Sequence, residues 1–135
     1  MEALKNLDVW KRACRLSVDI YKVTDGCKEH GYKDQLTRAG LSVASNIAEG
    51  YERDSIPARL QYLVIAKGSC GEVWTQLKIG RIAGFVEPST SKALETETNE
   101  ISGMLWGLIQ SQAKEIMMIL PLAPSSLPLV YWGIV

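Results

Sequence analysis

Apolar residues recur along this chain at steps of three and four, which is the period of a helix with one buried face. Between Leu7 and about Asp25 they form a continuous seam of Val9, Ala13, Leu16, Ile20 and Val23. This seam predicts a first helix, and Gly26 is the predicted stop just past its end. After the polar link of residues 27–34, a second apolar face predicts a helix that runs to about Tyr51, with Leu36, Ala39 or Gly40, Val43 and Ile47.

Two more helices are predicted in the rest of the chain. Ser55 is a suitable N-cap and Pro57 fits a first helical turn, so the third helix runs from there to about Gly84. The fourth opens at Pro88, and its apolar stripe is Leu94, Ile101, Leu105, Leu108 and Ile109. Four amphipathic helices with short links predict an all-α fold, an antiparallel up-down-up-down four-helix bundle over residues 1–113.

Two features do not fit a simple bundle pattern. Gly68 and Gly71 lie inside the third helix, where each costs about 1 kcal/mol relative to alanine, and we expect close packing against a neighbouring backbone to compensate. Residues 114–135 form an apolar, proline-containing tail, uncharged from residue 116 onward. The prolines disfavour a membrane-spanning helix, so we expect no membrane contact and a tail that covers an apolar groove on this subunit or a neighbour.

Composition limits the class of protein. The 135 residues carry 15 basic and 15 acidic side chains, so no net charge draws the whole chain to nucleic acid or an anionic membrane. The three cysteines Cys14, Cys27 and Cys70 are too far apart to suggest a zinc site or a disulfide framework. The amino-terminal residues lack the apolar core of a secretory signal, so the expected location is the cytoplasm.

A polar stripe runs through the second predicted helix. Its members follow each other at steps of three and four and therefore share one ridge: Gln35, Arg38, Ser42, Asn46, Glu49 and Arg53. One interpretation is a solvated face with ordinary ion pairs. The other is a buried or interfacial hydrogen-bonded network, which we favour because small residues flank the ridge where another backbone could come close, namely Ala39, Ala44, Ala48 and Gly50.

No arrangement of residues predicts catalysis. The only histidine, His30, is expected in a solvated loop. Residues 66–72, AKGSCGE, match neither a phosphate-binding loop nor a dinucleotide motif. Glu49, Glu52 and Glu72 resemble a carboxylate metal site only superficially, because a di-metal bundle needs two histidines. We therefore expect no enzyme activity, no metal and no cofactor.

Three segments together resemble the 23S ribosomal RNA intervening-sequence proteins: DVWKRACRLSVDIYKVT, QLTRAGLSVASNIAEGYERDS and LVIAKGSCGEVWTQLKIG, within residues 7 to about 110. The most specific stretch holds Gln35, Arg38, Ser42, Asn46 and Glu49, and Glu72 belongs to a supporting cluster in the third helix. The resemblance implies a non-catalytic bundle that assembles as a symmetric ring, with a pentamer favoured, encoded within insertions in bacterial ribosomal RNA genes. The family is similar to the accessory subunit of diversity-generating retroelements, which works beside a reverse transcriptase.

Two functions follow as hypotheses. The leading one is a ring that binds structured RNA through a basic ridge on the first helix, Lys11, Arg15 and Lys22. The ring would repeat this ridge around one surface. The second is a scaffold or accessory subunit whose partner is another polypeptide and which never contacts nucleic acid. Neutral net charge and the apolar tail favour the second.

Overall fold

The computed structural model describes residues 1–119, and that part of the chain is helical with no strand. Its helices are α1 (Glu2–Lys5), α2 (Asp8–Val23), α3 (His30–Tyr51), α4 (Ile56–Ala83) and α5 (Pro88–Ile119). The four long helices pack in a closed square, in which α2 and α4 each contact both α3 and α5. Tyr32 at the start of α3 reaches Gln76 near the end of α4, as antiparallel neighbours do. The predicted all-α up-down-up-down bundle is confirmed.

The core consists of the apolar seams that the sequence pattern identifies. Buried leucine, isoleucine and valine side chains from all four long helices meet along the bundle axis, and the predicted positions Leu94, Ile101, Leu105 and Ile109 of α5 are among them. Leu108 is half-buried at the edge of this core. Burial of these side chains is the main stabilising contribution, at about 1.5–3 kcal/mol for each large apolar residue.

The ends of α4 follow the predicted local chemistry. The Ser55 hydroxyl accepts a hydrogen bond from the Ala58 backbone N–H at 3.3 Å, as an N-cap does, and Pro57 lies in the first turn. Gly84 closes the helix in the left-handed conformation with φ of 84°. Gly26, the predicted stop of α2, does not close that helix in the left-handed conformation. Within residues 1–119, Gly84 is the one glycine with positive φ. Instead α2 ends at Val23, and the hydroxyl of the C-cap residue Thr24 donates to the Ile20 carbonyl at 2.7 Å.

Three boundaries differ from the sequence prediction. Helix α3 begins at His30 rather than after the polar link, and α1 is an extra single turn that buries Leu4 against the bundle. Helix α5 continues through residues 114–119, which were predicted to belong to the tail. The rest of that tail, residues 120–135, lies outside the described residues. Within residues 1–119, no helix is long and apolar enough to cross a membrane.

Candidate functional site

The predicted basic ridge lies on the exposed side of α2. Lys11, Arg15 and Lys22 are all exposed, and none of them forms an ion pair with a carboxylate in the described part of the chain. By the helical rise of 1.5 Å per residue, the ridge from Lys11 to Lys22 is about 16 Å long. The structure therefore keeps three cations in one line with their charges directed to solvent.

Arg12 is adjacent to this basic ridge but belongs to a different arrangement. Its Nε donates to Glu97 Oε2 at 3.0 Å, and its Nη2 pairs with both Glu97 and Glu100 of α5. These hydrogen bonds raise the pKa of Arg12 and lower that of Glu97, to which Arg15 contributes a smaller electrostatic effect. Arg12 thus joins α2 to α5 through Glu97 and Glu100.

The polar stripe of α3 is divided into separate local groups. Arg38 pairs with Asp34 at 3.4 Å, and both side chains are exposed. Asn46 Nδ2 donates to the Ser42 carbonyl at 2.8 Å and to Ser42 Oγ at 2.9 Å. Ser42 Oγ in turn lies 2.7 Å from Ser69 Oγ of α4, so this small cluster joins α3 to α4.

The carboxyl-terminal end of the stripe forms its own cluster. An Arg53 guanidinium nitrogen donates to Glu49 Oε2 at 2.7 Å and to the Tyr62 hydroxyl at 2.8 Å. Glu49 and Arg53 are exposed, as are Gln35 and Arg38. A single buried network, the first part of our favoured interpretation, is therefore wrong for this chain, because most of the stripe faces solvent.

The exposed part of the stripe borders a surface groove between α3 and α4. This groove has a volume of about 290 Å³ and is lined by Gln35, Arg38, Ala39, Ser42, Glu72 and Gln76. Glu72 is exposed on α4 and forms no ion pair in the described residues. The fold thus places Glu72 beside Gln35 and Arg38, as one surface made from two helices.

Gly68 and Gly71 of α4 do not have the close backbone neighbours that the sequence analysis predicts. Both Gly68 and Gly71 are exposed, and a Cβ built on either meets nothing within 4 Å. Within residues 1–119, the expected close approach of another backbone is therefore absent at both glycines. Gly68 shares the exposed side of α4 with Ile65, Ile79 and Ile82, which are 49%, 54% and 75% exposed.

The candidate nucleophiles and ligands have ordinary surroundings. Cys70 is buried, which raises the pKa of its thiol to about 12, and Cys14 and Cys27 are half-buried and free. His30 is exposed, at the first residue of α3 rather than in the predicted loop. Among residues 1–119, no group of three or more histidine, cysteine, aspartate or glutamate side chains could hold a metal ion.

Sequence reasoning missed a second groove, between α4 and α5. Trp74 and Trp106, 39% and 38% exposed, lie at its two ends, and each carries a lysine ammonium near its ring. Trp74 and Lys78 are four residues apart, a spacing that places them on one face of a helix and could have signalled this surface. No spacing relates Lys67 to Trp106, because they come from different helices.

Comparison with known proteins agrees with this architecture. The family model described as "23S rRNA-intervening sequence protein" matches residues 5–107. A crystal structure of a protein with unknown function from the S23 ribosomal protein family of Bacteroides thetaiotaomicron has a similar fold, with a TM-score of 0.68 and 21% sequence identity. The similarity covers 75% of this chain and 97% of that one. The chain matches none of the curated proteins. With its bundle, its α3 stripe and most of its length covered by the family model, the chain belongs to the 23S rRNA-intervening sequence protein family.

Proposed function

We propose that this protein is a non-enzymatic, homo-oligomeric RNA-binding protein of the cytoplasm, whose ligand is structured RNA such as an intervening-sequence transcript or ribosomal RNA. The observation that carries the proposal is the exposed cationic line of Lys11, Arg15 and Lys22 without carboxylate partners in residues 1–119. Cations of this kind bind backbone phosphates and release their counterions. The family description refers to sequences that intervene in 23S rRNA, which makes such a transcript the RNA to test first.

Three cations in one chain are few, so the proposal needs several copies. Self-association is supported by the surface of α4 that carries Ile65, Gly68, Ile79 and Ile82, because exposed isoleucines on one helix face favour burial against a partner. A glycine with open space above it also admits a second backbone. In a closed ring, with a pentamer favoured, each subunit adds its own basic ridge and the number of phosphate contacts rises accordingly.

The α3 stripe is assigned to the same subunit contact. Gln35, Arg38 and Glu72 border one groove, and Glu72 lies on the exposed side of α4 together with Ile65 and Ile79. An unpaired carboxylate next to an apolar surface is a suitable partner for a basic or amide side chain of a neighbouring copy. The stripe is then interfacial in the assembly, although it is exposed in the single chain.

The test measures binding and assembly on the same sample. Fluorescence anisotropy of a labelled RNA hairpin, titrated at several salt concentrations, is expected to show an affinity that falls steeply with salt. The triple variant K11E/R15E/K22E is expected to abolish this binding, while light scattering gives an unchanged oligomeric mass. The matched control reverses three exposed lysines elsewhere, Lys5, Lys28 and Lys114. An equal loss of hairpin affinity in the triple variant and the control contradicts the assignment of the basic ridge as the RNA-binding surface. An unchanged hairpin affinity in the triple variant contradicts it as well.

A second candidate function is an accessory scaffold with a polypeptide partner and no nucleic-acid contact. The exposure of Ile82 at 75% favours it, since the same surface that fits another copy also fits a different protein. A monomeric mass in light scattering, together with no hairpin binding at low salt and a co-purifying polypeptide of constant stoichiometry, is the result that selects this candidate.

A further inference from the structure

The groove between α4 and α5 consists of two adjoining cavities of about 250 and 450 Å³. Asn99 and Ser102 line both, so the two cavities form one continuous surface. One cavity ends at Trp74 and the other at Trp106. Between the two rings the lining includes the small residues Gly71, Thr98 and Gly103. Among the described residues, no carboxylate lines either cavity.

The charge of the groove has one sign. Lys67 Nζ lies 5.8 Å from the centroid of the Trp106 ring, and Lys78 Nζ lies 4.7 Å from that of Trp74. Toward the end of α4, the buried Glu95 accepts two hydrogen bonds from Arg81 at 2.9 and 3.2 Å. This ion pair lowers the pKa of Glu95 and keeps it charged, but its charge is matched by Arg81. Lys78 also lowers the pKa of Glu95 through its charge, so two cations, Arg81 and Lys78, share this one carboxylate and a net positive charge remains. Lys67 forms no ion pair within residues 1–119.

The spacing of the two rings suits a chain of bases. Lys67 is adjacent to Trp106 across the groove, and Trp74 lies two helical turns beyond Lys67 on α4, which is about 10 Å. That length corresponds to about three nucleotides at the stacked spacing of roughly 3.4 Å per strand. Half-exposed tryptophans accept bases of any sequence by stacking, lysines beside them contact phosphates, and amide and hydroxyl groups between them hydrogen-bond base edges.

We propose that the α4–α5 groove binds a short single-stranded RNA segment, with bases stacked on Trp74 and Trp106 and phosphates held by Lys67 and Lys78. This inference rests on the proposed RNA-binding function and adds a site separate from the basic ridge, which lies on α2. The two exposed aromatic rings, each with a lysine ammonium beside it, favour a nucleic acid over a second protein chain. The exposed apolar residues that suit a protein partner, Ile79 and Ile82, are not among the residues that line the two cavities.

The test uses the full chain and a labelled oligouridine of eight nucleotides, which forms no hairpin. Trp74→Ala and Trp106→Ala are each expected to weaken its binding by about 5- to 150-fold, the range for loss of one base–aromatic stack. Trp74→Phe and Trp106→Phe retain a ring and are expected to restore most of the affinity. Tyr21→Ala on α2 is the matched control, since Tyr21 is an aromatic residue with a similar exposure of 44%.

A direct contact is checked by photochemical cross-linking. Oligouridine that carries 5-bromouridine is expected to cross-link to peptides containing Trp74 or Trp106 and to lose these cross-links when unlabelled oligouridine is added. Unchanged oligouridine affinity in both alanine variants overturns the proposal. A fall in oligomeric mass in those variants also overturns it, because the groove is then a contact between copies.

Failure of this inference is distinguishable from failure of the proposed function. If the parent protein binds the hairpin but not oligouridine, only the proposed single-stranded RNA site in the α4–α5 groove is refuted. A parent that binds neither RNA refutes both. The variant K11E/R15E/K22E is expected to lose the hairpin while its oligouridine affinity falls less than twofold, because the groove has its own cations.

Discussion

The Tyr32 side chain occupies the space that a side chain at residue 80 would need. Its hydroxyl donates to the Gln76 carbonyl at 2.6 Å, and a Cβ built on Gly80 would lie 1.9 Å from the hydroxyl oxygen. The ring also packs at a tilt against Phe85, with centroids 5.2 Å apart. Glycine at residue 80 thus allows the first turn of α3 to attach to the end of α4. Burial of this tyrosine raises its pKa to about 12.

Gly80→Ala is expected to destabilise the fold by about 1–3 kcal/mol, because the ring must move from a packed position. Thermal unfolding followed by circular dichroism measures the effect. Gly107→Ala in α5 is the matched control, since a Cβ there meets nothing within 4 Å. That control should gain up to about 1 kcal/mol from helix propensity. Equal stability of the two variants would contradict the close packing of Tyr32 on Gly80.

Glu95→Ala is expected to lower the free energy of unfolding by about 2 kcal/mol, because it leaves buried polar partners unsatisfied. Ser91 Oγ lies 3.0 Å from Glu95 Oε2, and the Arg81 guanidinium contacts both carboxylate oxygens. Urea unfolding is the measurement. Glu2→Ala, which removes the exposed pair with Lys5, serves as the comparison and should change stability by less than about 0.5 kcal/mol.

Glu87 caps the start of α5 and makes the stability of that helix depend on pH. Its carboxylate accepts hydrogen bonds from the hydroxyl and backbone N–H groups of Thr90 and Ser89, which lower its pKa from 4.5 to about 2. A depressed pKa in the folded state means that the contribution is complete above pH 4.5 and is lost as the pH falls toward 2. The melting temperature of Glu87→Gln should therefore lie below that of the parent at pH 7, and the difference should shrink as the pH falls from 4.5 toward 2. A difference of the same size at pH 2 as at pH 7 would assign the effect to something other than this ionisation.

Asn46→Ala and Glu49→Ala separate the internal part of the stripe from its interfacial part. Asn46 donates to Ser42 next to the α3–α4 contact, so its loss should cost about 1 kcal/mol in melting experiments. Glu49 is exposed, and its loss should leave the melting of the isolated chain nearly unchanged. If the stripe lies between copies, Glu49→Ala should also lower the mass measured by light scattering on dilution. Glu115→Ala, an exposed residue of α5, is the control and should leave the mass unchanged.

The sequence by itself determined the helices whose signals are local. The apolar seam of α2, the Ser55 cap of α4 and the closing Gly84 all appear in the structure where the pattern places them. Helical periodicity depends on which residues share a face, and capping depends on residues three or four apart, so both can be recognised without the fold. The family resemblance had the same basis, in motifs that lie within single helices.

Only the tertiary structure decided how those helices use their surfaces. Helix α3 extends back to His30 because Tyr32 packs on Gly80 of another helix, a contact that no spacing within one segment contains. Gly68 and Gly80 look alike in the sequence, yet one faces open space and the other a tyrosine ring. The α3 stripe and the tryptophan groove likewise depend on which helix lies beside which. Burial and the meeting of distant side chains arise from packing between helices, and packing depends on all the helices at once.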